Sequence, residues 1–178
     1  MLVKPTTQMP DITSLVAEIG LVPGCLLKPP AGLPTIPPGL FLPPDLQRFY
    51  ELAGGGVIYE KRQCPGPTRI VGPEEFVRID VAIAGEIISP GPFEYWFAMA
   101  DVSDGNFIAI DLHPDHRGMC YDCFHETFMW PGCVNVIARS FTDLLRRLLR
   151  HTDDSDYWTE EGFEPLGEAI KLYGHEPV

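Results

Sequence analysis

Tyr95–Leu112, YWFAMADVSDGNFIAIDL, constrains the fold more than any other stretch of the chain. It reads as two strands joined by a short acidic turn, with Asp104-Gly105 as the local turn signal. In the first strand Tyr95, Phe97 and Met99 alternate with Trp96, Ala98 and Ala100. In the second, Phe107 and Ala109 alternate with Ile108 and Ile110. Successive side chains of a strand point to opposite faces, so both faces of this hairpin are apolar. The pattern predicts a mid-sheet hairpin covered on both sides. It specifies a buried scaffold, with no catalytic apparatus beside it.

A chain of 178 residues is expected to form one domain with a substantial core. Its 19 prolines and 17 glycines cluster, which predicts long loops rather than general disorder. No window approaches the ~20 apolar residues of a membrane-spanning helix. The start, MLVKPTTQMPD, lacks an apolar stretch followed by a small-residue cleavage site, so a cytoplasmic protein is expected. Residues 151–178 carry −7 of the formal charge of −12. This balance disfavours nucleic acid, which requires a basic face, and suits either a basic protein partner or simple solubility.

Asp11 followed by Ile12, Leu15, Val16 and Ile19 predicts a short capped helix ending at Gly20. Eight prolines within residues 21–44 predict an extended arm that wraps a core, with a ligand for a proline-reading module as the alternative. LPPDLQRFYELAGGG (Leu42–Gly56) predicts a helix opened by Pro43-Pro44, buried through Leu46, Phe49, Tyr50 and Leu52, and ended by Gly54-Gly55-Gly56. These glycines follow a helix and precede the strand-like Val57-Ile58-Tyr59, the wrong order for a phosphate loop, so a left-handed cap is expected. Thr68–Val71, Gly118–Phe124 and Val134–Ala138 are further strand candidates. Ser140 caps a helix whose buried face is Phe141, Leu144, Leu145, Leu148 and Leu149, with Arg146, Arg147 and Arg150 expected outward. Pro165–Tyr173 reads as a last short helix. The organisation is thus an N-terminal helix and proline-rich arm (1–40), a central domain (41–150) and an acidic extension (151–178).

In order, LPPDLQRFYELAGGG, Trp96 opening a strand, DGNFIAIDL, Gly118 with its strand, and VIARSFTDLLRRLL resemble SMI1/KNR4 domains of the SUKH superfamily. The resemblance covers roughly residues 40–150 and leaves the arm and the tail outside. It implies an α+β fold, a twisted, largely antiparallel sheet with helices packed around it. Many bacterial members are similar to immunity proteins that bind and block a cognate toxin, often a nuclease or deaminase. Others are stand-alone proteins, and fungal members resemble scaffolds in cell-wall signalling.

Residues 113–133 offer six candidate metal ligands: His113, His116, Cys120, Cys123, His125 and Cys133. CxxC is a zinc-knuckle spacing. Within a strand, however, Cys120 and Cys123 point to opposite faces, and no second CxxC completes a tetrahedral set. Phe124 breaks the haem-attachment pattern. Cys25, Cys64 and Cys133 sit in proline- or glycine-flanked loops and read as incidental thiols. A Cys123–His113 catalytic pair lacks an orienting third group. The acidic turn lacks calcium-loop spacing, and Ser140 lacks the surround of a hydrolase nucleophile.

These readings predict a non-enzymatic protein-binding domain with no cofactor. Combined with the resemblance, they favour an immunity-type protein whose carboxylates Glu94, Asp101, Asp104, Asp111 and Asp122 meet a basic toxin. Trp96 and an exposed Trp130 are the expected aromatic contacts. A stand-alone scaffold or regulatory module is the alternative, and a zinc protein using the 113–133 cluster the second alternative.

Overall fold

The computed structural model describes residues 11–63, 66–88, 91–152 and 155–173. Cys64, read above as a loop thiol, and Asp153, Asp154 and Glu176 of the acidic tail lie outside them. Seven strands follow one another in the sheet as in the chain: β1 (Leu26–Leu27), β2 (Gly56–Ile58), β3 (Thr68–Ile70), β4 (Trp96–Asp101), β5 (Phe107–Asp111), β6 (Cys120–Cys123) and β7 (Val136–Ala138). Every neighbouring pair is antiparallel. Among the described residues four helices pack around this open sheet: α1 (Ile12–Ile19), α2 (Pro44–Leu52), α3 (Ile79–Ala84) and α4 (Phe141–Arg150). The fold is α+β, as the resemblance implies.

The β4–β5 hairpin occupies the middle of the sheet, with apolar side chains buried on both faces. Phe97, Ile108 and Ile110 face a core shared with α1, α2 and α4. Trp96, Ala98 and Ala109 face a second core built with Phe93, Phe128 and Ile170. Strict alternation fails at one point. Ala98 pairs with Ala109 and Ala100 with Ile108, which leaves Met99 as an extra residue in a β-bulge. Ala100 therefore joins Phe97 and Met99 in the first core rather than Trp96 and Ala98 in the second. The turn places Ser103, Asp104 and Gly105 at positive φ, where Gly105 is favoured and the short polar pair is tolerated.

The Asp11 side chain caps α1 through Ser14 N, and the Ser140 side chain caps α4 through Asp143 N. Asp45, in the first turn of α2, accepts from Thr142 N and Oγ1 and so ties the two helix starts together. The three glycines have a different role from the expected left-handed cap. Helix α2 ends at Ala53 in extended conformation, with its N–H on Phe49 O. The glycines instead run beneath neighbouring backbone. A Cβ on Gly54 would lie 2.3 Å from Pro29 O, and one on Gly56 2.4 Å from Leu26 O. Lys28 N donates to Gly55 O and Gly54 N donates to Lys28 O, so the arm is sealed onto this segment by hydrogen bonds. Leu27, Ile36, Leu40 and Leu42 of the arm pack against the first core.

Arg146 is buried, contrary to the outward position expected from its helix face. Helix α1 covers a second side of α4, where Leu15 and Glu18 adjoin Arg146. The C-terminal segment also enters the fold: Tyr157 and Trp158 sit in the first core and Ala169 and Ile170 in the second. Its residues 166–169 hydrogen-bond to Val134 and Val136 and cover the outer edge of β7. The helix expected over Pro165–Tyr173 is a single 3₁₀ turn, Ile170–Tyr173. No helix among the described residues is long and apolar enough to cross a membrane.

Candidate functional site

The five carboxylates singled out in the sequence do not form one patch. Glu94 is exposed in a 3₁₀ turn before β4, whereas Asp101 and Asp104 lie at the opposite end of that strand. Six residues of strand separate these ends by about 20 Å. Asp101 is already paired with Arg69 at 3.1 Å, and the same guanidinium holds Glu75 at 2.7 Å. Asp111 and Trp96 are fully buried and present no surface. Asp104 and Asp122 are brought together.

These two aspartates line a hollow of about 310 Å³ between the β4–β5 turn and the C-terminal segment. Val102, Phe124 and Trp158 supply its apolar wall. Asn106, Asp156 and Thr159 complete the polar part, so three carboxylates converge, and among the described residues neither lysine nor arginine lines the space. Strand geometry puts Asp122 here: its neighbours Tyr121 and Cys123 turn to the second core, so Asp122 turns to the other face beside Trp158. Arg62 reaches Asp156 at 3.5 Å. Burial first, then the charge of Asp156, pushes the Asp122 carboxyl up to about 6, against one hydrogen bond with Trp158. Burial likewise raises Asp156.

The sign of the resulting pH dependence is fixed. Between the unfolded carboxyl value near ~3.9 and about 6, the folded chain holds a proton at Asp122 that the unfolded chain has released. That contribution to stability is present in acid and lost as pH rises through about 6. Asp122→Asn should therefore stabilise the protein by about 1–2 kcal/mol at pH 8, a figure discounted for partial solvent access, and by about half as much at pH 5. Urea unfolding at the two pH values measures it, and an equal or opposite effect at pH 8 would contradict the burial argument.

A second constellation surrounds Asp111. Its Oδ2 accepts from Tyr121 OH at 2.5 Å and Tyr173 OH at 2.6 Å, and its Oδ1 from His113 N at 2.8 Å. Trp96 Nε1 donates to Tyr173 OH. Burial raises the Asp111 carboxyl and holds both phenols protonated, so the carboxylate acts as an internal acceptor. This arrangement fastens the C-terminal segment to the sheet centre.

The zinc alternative loses its ligand set. Cys120 lies in the first core and Cys123 in the second, on opposite faces as strand geometry requires. Among the described residues, no group of three histidine, cysteine or acidic side chains is arranged to hold a metal ion. His125 is engaged with Asn106 through its backbone N–H and ring Nδ1. Burial drives both strand thiols well up, which makes Cys123 a poor nucleophile.

Trp130 is exposed, together with Phe124 and Met129 on the β6–β7 loop. Sequence reasoning missed Asn106, Asp156 and Trp158 as parts of the hollow, and Tyr173 as the partner of Asp111. The aromatic residues within the acidic tail were the available signal, because a purely solvating tail has no need of Tyr157, Trp158 or Tyr173.

Comparison with known proteins gives two matches. The model of the SMI1 / KNR4 family (SUKH-1) matches residues 39–147, close to the span of the sequence resemblance. Immunity protein YokJ of Bacillus subtilis (strain 168) is 35% identical over 159 residues, which is 89% of this chain and 95% of that protein. No solved structure matches.

Proposed function

The chain belongs to the SMI1 / KNR4 family (SUKH-1), and on that premise we propose that it is an immunity-type protein that binds and neutralises a cognate bacterial toxin. The observation that carries this reading is the near end-to-end likeness to an immunity protein. It extends beyond the family core at residues 39–147 into the segments on both sides. The chain acts by stoichiometric occlusion rather than turnover, and it meets the toxin in the cytoplasm. Its net charge favours a toxin with a basic working face, because complementary fields speed encounter and suppress wrong pairings.

Co-expression tests the proposal. Toxin domains encoded beside this chain's gene are expressed in a recipient cell, each with and without the chain. Restored growth for one of them, with a stoichiometric complex on size exclusion, is the expected result. Growth arrest that the chain relieves in no case would remove the immunity reading. A complex with an intact toxin whose activity persists would remove occlusion as the mechanism.

A further inference from the structure

We propose that the hollow beside the β4–β5 turn receives an arginine side chain of the protein partner, a deepening that rests on the immunity-type reading above. Three features of the hollow select a guanidinium. Asp122 and Asp156 face the same space, and a planar fork of five donors can engage two carboxylates at once, which an ammonium point charge cannot. Phe124 and Trp158 offer aromatic surface against which a guanidinium plane and its aliphatic stem can stack.

The third feature is the charge arrangement within the hollow. The like charges of Asp122 and Asp156 oppose one another there, and a neutral indole is the side-chain hydrogen-bond partner of Asp122. Arg62 serves Asp156 at 3.5 Å without lining the space. An entering cation relieves this repulsion, and the desolvation of the carboxylates has already been met in folding. The binding step is then cheaper than for an exposed acidic cluster.

The rim of the hollow suits such an anchor, where the lining residue Phe124 is 38% exposed. An exposed aromatic ring at the mouth provides contact that excludes water around a buried charged anchor. Asp104 at the rim adds a third carboxylate without a basic neighbour lining the hollow. The occupant is thus a basic side chain set in an apolar surround on the partner.

The inference can be tested without knowing the toxin. Nitrogen-15-labelled protein is titrated with N-acetyl-arginine methylamide, and in parallel with the lysine compound and the neutral citrulline isostere. The expected result is saturable movement of the Trp158 indole N–H and of the Asp104 and Asn106 amides. The citrulline compound should give less than a tenth of that movement. Asp122→Asn should weaken the arginine compound at least tenfold with the rest of the spectrum in place. Phe124→Ala, an exposed position, should weaken it severalfold. Equal response to the lysine or citrulline compound, movement elsewhere, or an unaltered response in D122N would overturn the proposal. Arginine binding in a protein that neutralises no toxin would support the hollow and remove the immunity reading. Neutralisation unaffected by D122N and F124A would keep that reading and remove the arginine anchor.

Discussion

Gly55→Ala is expected to lower the unfolding free energy by about 4 kcal/mol, among the larger single-residue effects. Gly55 has φ +96°, and an added Cβ would stand 2.7 Å from Ile70 O and 2.9 Å from Val71 O. Both obstacles are backbone, so no flexible side chain can yield. The left-handed conformation alone costs about 1–2 kcal/mol for a residue with a Cβ. The remainder comes from separating β2 from β3 and lifting the arm that hydrogen-bonds to Gly55 O through Lys28 N. Denaturant unfolding with a far-ultraviolet signal measures the effect. A loss near 1 kcal/mol would return Gly55 to the role of a simple helix terminator.

Asp111→Ala should destabilise the fold by about 3–5 kcal/mol, because removing the carboxylate strands buried donors. Tyr121 OH, Tyr173 OH and His113 N all lose their acceptor in the same change. Asp111→Asn retains an acceptor oxygen and removes a charge that burial disfavours, so its cost is about 1–2 kcal/mol. The contrast between the two variants separates a hydrogen-bond role from an electrostatic one. Hydrogen exchange should show residues 166–173 opening in D111A before the hairpin does, since Tyr173 is their tie to Asp111. Equal destabilisation by Ala and Asn would instead assign the effect to the lost charge.

The two aspartates Asp111 and Asp122 show how far a linear reading of charge extends. Both are carboxylates in strands β5 and β6, and in the sequence both look like contributors to an acidic contact face. Register decides between them. Asp111 pairs with Trp96 at the start of β4 and lies beneath the aromatic cluster, whereas Asp122 turns the other way toward Trp158. Neither register nor the path of residues 156–173 has a local signature, because both depend on contacts between residues far apart in the chain. Asp156 therefore carried no signal of being a site residue, and Trp158 signalled only that the tail packs, not where.

By itself the sequence determined α1, α2, α4 and strands β2 to β7 but not β1 or α3, together with the central position of the β4–β5 hairpin, the side-chain caps of α1 and α4, and the opposite faces of Cys120 and Cys123. Each of these rests on local physics: side-chain period, capping chemistry and turn geometry. Only the tertiary structure decided that Arg146 is buried, that the glycines at 54–56 make room for other backbone rather than cap a helix, and that Asp122 and Asp156 share one hollow. The reason is the same in all three cases. A second element, namely α1, the proline-rich arm or the C-terminal segment, packs across a surface whose local pattern carries no record of it.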